Sequence, residues 1–355
     1  MHHPTVLDIL LASRGFDMSD YRLLIGTYTR TEPDASKGIY HATFDDATGQ
    51  FNVHDLAAEA VSPAFLAQSG EYIYAVNETR DGMVSAYRLQ EDELVFINTV
   101  STGGALPCHL AATLDWIAVA NYSSGNLATF ALRDGALGER IDFVQHTGEG
   151  PNQQRQTQAH AHQTYLIDNS IFVPDLGSDK LYRYQLDTGG KFVGEPRVAD
   201  LNPGAGPRHV DHHPWLPIVY LINELGNTIN ILDTDTLTVQ QTIPTLPDDY
   251  DEVSTTSEIA VSADGKFVYG SNRGHDSIVS FAVDDSGQLS QPQYTSTDGQ
   301  CPRHFTLDPS GKWLLVANQN TNNVKVFALN NGRPTYIVSD SSVLRPVCIH
   351  FLDSK

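Results

Sequence analysis

Short apolar stretches alternate with polar turns along most of the chain, at a spacing too tight for helices. The segment "GKWLLVANQNTNNVKVFAL", residues 311–329, shows the form: an apolar strand, a polar loop, then a second strand. Val, Ile, Tyr and Phe alternate with polar residues, and "SG", "DG", "PSG" and "DTGG" separate the runs, which is strand-and-turn chemistry. No stretch beyond residue 21 carries a helical period.

The pattern repeats as one unit: Pro-x-His or a variant, an alternating strand, a turn, an apolar strand ending "VAN", a polar loop and a further strand. Clear copies begin at Pro107 ("PCHLAATLDWIAVAN"), Pro207 ("PRHVDHHPWLPIVYLIN") and Pro302 ("PRHFTLDPSGKWLLVAN"). Weaker copies begin at Pro63, His160 and Ser257, and a fragment at Pro346 ends the chain. The starts lie 44 to 53 residues apart, the length of one four-stranded propeller blade. The last unit stops after its first strand. The strands it lacks are available at the other end, in "YRLLIGTYTR" and "KGIYHATF". The expected fold is therefore all-β: a seven-bladed β-propeller of four-stranded antiparallel blades, its ring closed by N- and C-terminal strands in one blade. Residues 1–21 read as a peripheral or poorly ordered appendage, and 22–355 as a single propeller domain. Met18, just ahead of the repeat, is a candidate native start beside Met1.

This topology sorts the chain's densest polar cluster, "GPRHVDHHP" at Gly206–Pro214. In a blade the start of the first strand and the end of the second lie at one face of the disc. Arg208 and His209 then belong to the channel mouth, while His212 and His213 fall beside a turn at the opposite face and read as solvated turn residues. That split disfavours a zinc site made from all three histidines. Asn77, Asn121, Asn223, Asn272 and Asn318 recur at one place in five blades, with Asp175 in a sixth, as loop-holding residues do. The residues after them differ in chemistry: Glu78, Tyr122, Glu224, Arg273 and Gln319. With His109, His160, His162, Arg208, His209, Glu258, Arg303 and His304 at the strand starts, they make a mouth of imidazoles, arginines and carboxylates. Histidine or glutamate there could activate a water, and arginine offers a fork for carboxylate or phosphate.

Composition narrows the ligand. The 355 residues carry 22 basic and 43 acidic side chains, a formal net charge of −21, so nucleic acid and anionic membrane are disfavoured partners. Against that background an arginine cluster is a local feature. Three cysteines, Cys108, Cys301 and Cys348, are too few and odd for a disulfide framework, read as inert buried thiols, and fit a reducing, cytoplasmic location. "VLDILLA" is interrupted by Asp8 and follows no basic residue, a poor signal peptide and too short for a span. No G-x-S-x-G, phosphate-cradling glycine loop, H-E-x-x-H or paired C-x-x-C occurs.

The segments "LLIGTYTR…KGIY", "HAHQ…VPDLGSDKLYRY", "GAGPRHV…YLINELGNTI" and "CPRHFTLDPSGKWLLVANQNTNNV" resemble the lactonase family of seven-bladed propellers, from about Leu23 to Phe351. That family includes bacterial 6-phosphogluconolactonases and fungal 3-carboxymuconate lactonizing enzymes. The resemblance implies a catalytic set of His160 or His162, Arg208, Glu224 and Arg273. His109, His209, Arg303, His304, Asn223, Asn272 and Glu78 are the expected substrate contacts, with no metal or other cofactor. The expected reaction opens a sugar-derived lactone, foremost 6-phospho-D-glucono-1,5-lactone. The expected partner is one small anionic lactone, bound by a monomer or small homo-oligomer. Three alternatives stay open: another lactone acid, a calcium-dependent lactonase, and a non-catalytic propeller offering the same mouth to a ligand or protein.

Overall fold

A computed structural model describes residues 20–29, 35–91, 93–290 and 292–353; the proposed appendage, apart from the opening strand's first residues, lies outside them. The described residues form 28 strands in seven four-stranded antiparallel sheets, without helices. Each sheet is one blade of the expected propeller. Strands begin at Pro63, Pro107, Pro207, Pro302 and Pro346, where the repeat begins. The unit expected from Ser257 opens two residues earlier, at Thr255. That expected from His160 keeps only a bridge, Ala161 to Asp175, before a three-residue strand at Tyr165–Ile167.

The ring closes as expected. The last strand, Pro346–Phe351, pairs antiparallel with the first, Asp20–Thr27, joining Leu23 to Phe351 and Ile25 to Ile349. Apolar residues fill the spaces between blades, because each sheet buries both faces against its neighbours. Across the closure Leu23, Ile25, Phe44 and Phe51 pack on Leu315, Ala317, Val324 and Val326. Burying such a side chain contributes about 1.5–3 kcal/mol, so closure is held by packing as well as by the strand ladder.

One irregularity recurs in every blade and prepares the site. Between Pro207↔Asn223 and His209↔Ile222 the first strand holds one residue more than its partner, a bulge that frees Arg208 from the ladder. The same extra residue occurs after Pro63, Pro107, Pro302 and Thr256, in the closing blade, and between Ala161 and Tyr165. In five blades the residue before the proline has positive φ: Ser62, Leu106, Gly206, Cys301 and Arg345. At Gly206 the reason is steric as well, since a Cβ there would stand 2.5 Å from Leu225 Cγ.

Candidate active site

The left-handed residue, the proline and the bulge together pin two rings of side chains at one face. The carbonyl of the left-handed residue accepts the N–H of the residue that follows the second strand. Glu224 N donates to Gly206 O at 2.7 Å, Glu78 N to Ser62 O, Tyr122 N to Leu106 O and Gln319 N to Cys301 O. In the closing blade Tyr28 takes this place, donating to Arg345 O. Bulged residues such as Cys108, Arg208 and Arg303 form one ring and the post-strand residues the other.

Glu224 is the hub. Its carboxylate lies 2.6 Å from Arg155 Nη2, 2.9 Å from Arg273 Nη2 and 3.2 Å from Arg208 Nε. Arg208 and Arg273 are held in turn by main-chain carbonyls, Ser257 O at 2.7 Å and Thr256 O at 2.6 Å. Burial alone would raise the Glu224 pKa, but the three guanidiniums outweigh it and lower it to about 2. Burial, with Arg273 and Arg303 nearby, pushes Arg208 down to about 10, still cationic at neutral pH. Arg303 lies over the Tyr28 ring at 5.2 Å, and Tyr28 donates to Glu78 at 2.8 Å. Four arginines thus meet Glu78, Glu224 and, deeper, Glu258, a local positive excess within an acidic protein.

Below the mouth the imidazoles form a plug. His162, His209 and His304 join Glu78, Cys108, Arg208, Glu258 and Arg303 around a throat cavity of about 10 Å³, room for one water. His109 packs on Phe65 in a tilted arrangement, ring centroids 3.8 Å apart. Burial holds His109, His162 and His209 well below the ordinary histidine pKa, and His304 down to about 4, so all four are neutral near pH 7. Past the plug, an open channel of about 440 Å³ runs to the opposite face, lined by the rest of the first strands. The Cys108 and Cys348 thiols are buried, and burial pushes Cys348 up to about 12; Cys301 is less enclosed.

The geometry separates the two histidines of "HAHQ". His162 Nε2 lies 3.9 Å from Glu224. His160 sits at the rim, stacked on Tyr122 with centroids 4.5 Å apart, its Nδ1 at the Tyr122 carbonyl. Asn223 and Asn272 are not brought to the mouth. They are fully buried, Asn223 bonding Thr228 and Asn230, and Asn272 bonding Thr245 O and Ser277. At the far end His212 bonds Tyr165, but His213 departs from the solvated reading: it is 4% exposed. Its Nδ1 accepts from Trp215 and Leu216 N–H, and the Gly265 turn of the next blade covers its ring. Sequence reading missed Arg155 because it lies outside the repeat, in the loop after Gln145. A signal existed: the 53-residue interval between the Pro107 and His160 starts is the longest, marking inserted chain. Tyr28 was hidden because its blade is split between the termini.

Fold and site together define a seven-bladed propeller whose mouth is a carboxylate held among arginines. The family described as "Lactonase, 7-bladed beta-propeller" matches residues 22–351. The chain is 35% identical to a 6-phosphogluconolactonase of Bacillus subtilis, over 94% of this chain and 99% of that protein. Among solved structures, a protein from Lactobacillus plantarum superposes with a TM-score of 0.88 at 33% identity, covering 94% of this chain and all of the other. A periplasmic gluconolactonase of Pseudomonas aeruginosa superposes with a TM-score of 0.86 at 28% identity, covering 94% of this chain and 99% of the other. The chain belongs to the lactonase family of seven-bladed β-propellers and is an enzyme of that lactonase class. Among the described residues no helix is long and apolar enough to cross a membrane.

Proposed function

We propose that the chain hydrolyses 6-phospho-D-glucono-1,5-lactone to 6-phosphogluconate. One observation carries the choice of a phosphorylated substrate: Arg155, Arg208, Arg273 and Arg303 converge from separate parts of the ring on one opening. The name of the Bacillus subtilis relative supports the same reading. Arg208 and Arg273 anchor the phosphate or polarise the ester oxygen where negative charge develops in the transition state. His109, His209, Arg303, His304 and Glu78 complete the pocket. Glu224 is a weak proton acceptor with its pKa near 2, so its part is to hold the arginines in register, and water activation falls to a histidine. Of the "HAHQ" pair the geometry favours His162 as the one meeting substrate. We place the reaction in the cytoplasm, in a monomer or small homo-oligomer, with no cofactor, nucleic acid or membrane partner.

A second reading, a non-phosphorylated aldonolactone, is favoured by the name of the Pseudomonas aeruginosa relative, a gluconolactonase. Freshly prepared 6-phosphogluconolactone and gluconolactone, assayed for acid release with spontaneous opening subtracted, separate the two. A kcat/KM at least tenfold higher for the phosphorylated lactone is expected, and equal or reversed preference would reject the phosphate anchor.

A further inference from the structure

With Glu224 neutralised by arginines, lactone hydrolysis needs a different proton acceptor, and the throat contains a second, separate carboxylate–imidazole pair. His209 Nδ1 lies 2.8 Å from Glu258 Oε1. An ionised carboxylate only accepts, so Nδ1 carries the ring proton and the Nε2 lone pair is left free. His209 is 3% exposed, lines the throat cavity, and its Nε2 has no hydrogen-bond partner among the described residues. Glu258 is itself fixed. Its Oε1 accepts the Ile259 N–H at 3.1 Å, and His304 Nε2 stands 3.6 Å from Oε2. His304 Nδ1 accepts from Ile349 N, which turns its Nε2–H toward Glu258.

We propose that His209 is the general base of the lactonase reaction, acting on a water in the throat cavity, and that Glu258 is the residue that positions it. The proposal rests on the hydrolase reading above. A nucleophile-activating base is recognised by a third group that orients it. His162, the rival, lacks such a group: Glu224 lies 3.9 Å from its Nε2 and the Cys108 thiol 3.9 Å from its Nδ1. Water also has its own route in. Phe65, Glu258 and His304 wall both the throat and the open channel behind it, so a substrate sealing the mouth need not block resupply.

The step balances. A water O–H proton passes to His209 Nε2 as its oxygen bonds the lactone carbonyl carbon. The tetrahedral adduct then breaks its bond to the ring oxygen, which takes the proton back from His209 and leaves as a hydroxyl. The new carboxylic acid loses its own proton to solvent. His209 is neutral beforehand, because burial and the nearby Arg208 and Arg303 disfavour its cation more than Glu224 favours it. The other titratable groups around it are Glu258, Arg273, His109 and His162, with His304 across Glu258.

The test uses the full chain and both lactones named above. H209Q is expected to lower kcat about 10²- to 10⁴-fold, the usual contribution of general-base catalysis, with KM within threefold. E258Q is expected to lower kcat about tenfold or more at unchanged KM, since its amide can present N–H to Nδ1 and favour the wrong tautomer. The H162Q loss is expected mainly in KM. Imidazole 15N shifts at pH 7 add a readout independent of turnover: wild-type His209 as the Nδ1–H tautomer, altered in E258Q. Folded H209Q with kcat within threefold of wild type, or wild-type His209 as the Nε2–H tautomer or as imidazolium, would overturn the proposal. If H209Q does not fold, E258Q and the tautomer decide. A wild type that accelerates neither lactone removes the hydrolase reading and this proposal with it, a result distinct from an active wild type with an equally active H209Q.

Discussion

The first strand of each blade has two ends, and they differ more from each other than one blade differs from the next. At the mouth end, bulged positions hold Arg208, Arg303 and Cys108, and unlike charges from different blades meet around Glu224. At the far end the strands run regularly and line a wide channel with residues such as Leu110, Ala111, Val210 and Phe305. Polar groups there are consumed locally. Tyr165 donates to Asp211 at 2.5 Å, and Asp211 Oδ2 accepts the Val261 N–H at 2.7 Å. The fold itself distinguishes the ends, bulged at the mouth and regular beyond it, and it is at the mouth that arginines from several blades converge on one carboxylate. A repeated scaffold thus becomes a site where one extra residue per strand lifts a side chain out of the ladder.

The largest expected effect is at the mouth. R208A should lower kcat/KM for 6-phosphogluconolactone about 10²- to 10³-fold, the loss typical of a removed transition-state electrostatic contact. Its melting temperature should hold better, since Glu224 keeps Arg155 and Arg273. An unchanged kcat/KM would erase the distinction between the two ends.

Next comes acid stability. A carboxylate whose folded pKa is about 2 contributes stability fully present above its unfolded value of about 4.3 and lost as pH falls toward 2, worth about 3 kcal/mol. The buried neutral histidines act at higher pH: their folded pKa values are depressed, so stability also falls as pH drops below about 6.5. E224Q should therefore be less stable at pH 7 and show a shallower slope below about pH 4.5, while the histidine-driven slope that begins near 6.5 remains. Urea midpoints across pH would read both limbs, and an unaltered lower limb in E224Q would contradict the hub. The smallest effect belongs to the far end. Y165F should cost about 1 kcal/mol in urea unfolding, because a half-buried acceptor loses its donor, with kcat/KM within twofold of wild type. A tenfold activity loss there would mean the two ends are coupled.

Much of this is legible in the sequence. The start of the unit at Pro63, Pro107, Pro207, Pro302 and Pro346, and the split of "GPRHVDHHP" between two faces, follow from the strand period of two and the recurrence of one motif. Arg208, Glu224 and Arg273, which the structure brings together, stand out in the sequence because they vary at positions where the scaffold repeats. Asn223 and Asn272, expected as substrate contacts, are buried and bonded to neighbouring loops and strands, a placement that a repeated asparagine does not reveal in sequence.

Composition, periodicity and repeat length determined by themselves a closed ring of seven blades, because antiparallel pairing and buried sheet edges leave few other ways to use such a pattern. Tertiary structure alone decided that Arg155 reaches Glu224 across 69 positions, that His162 and not His160 enters the throat, and that Glu258 faces His209. These pairings depend on loop paths and on the angle between neighbouring blades. Side-chain chemistry read along a line carries no information about either.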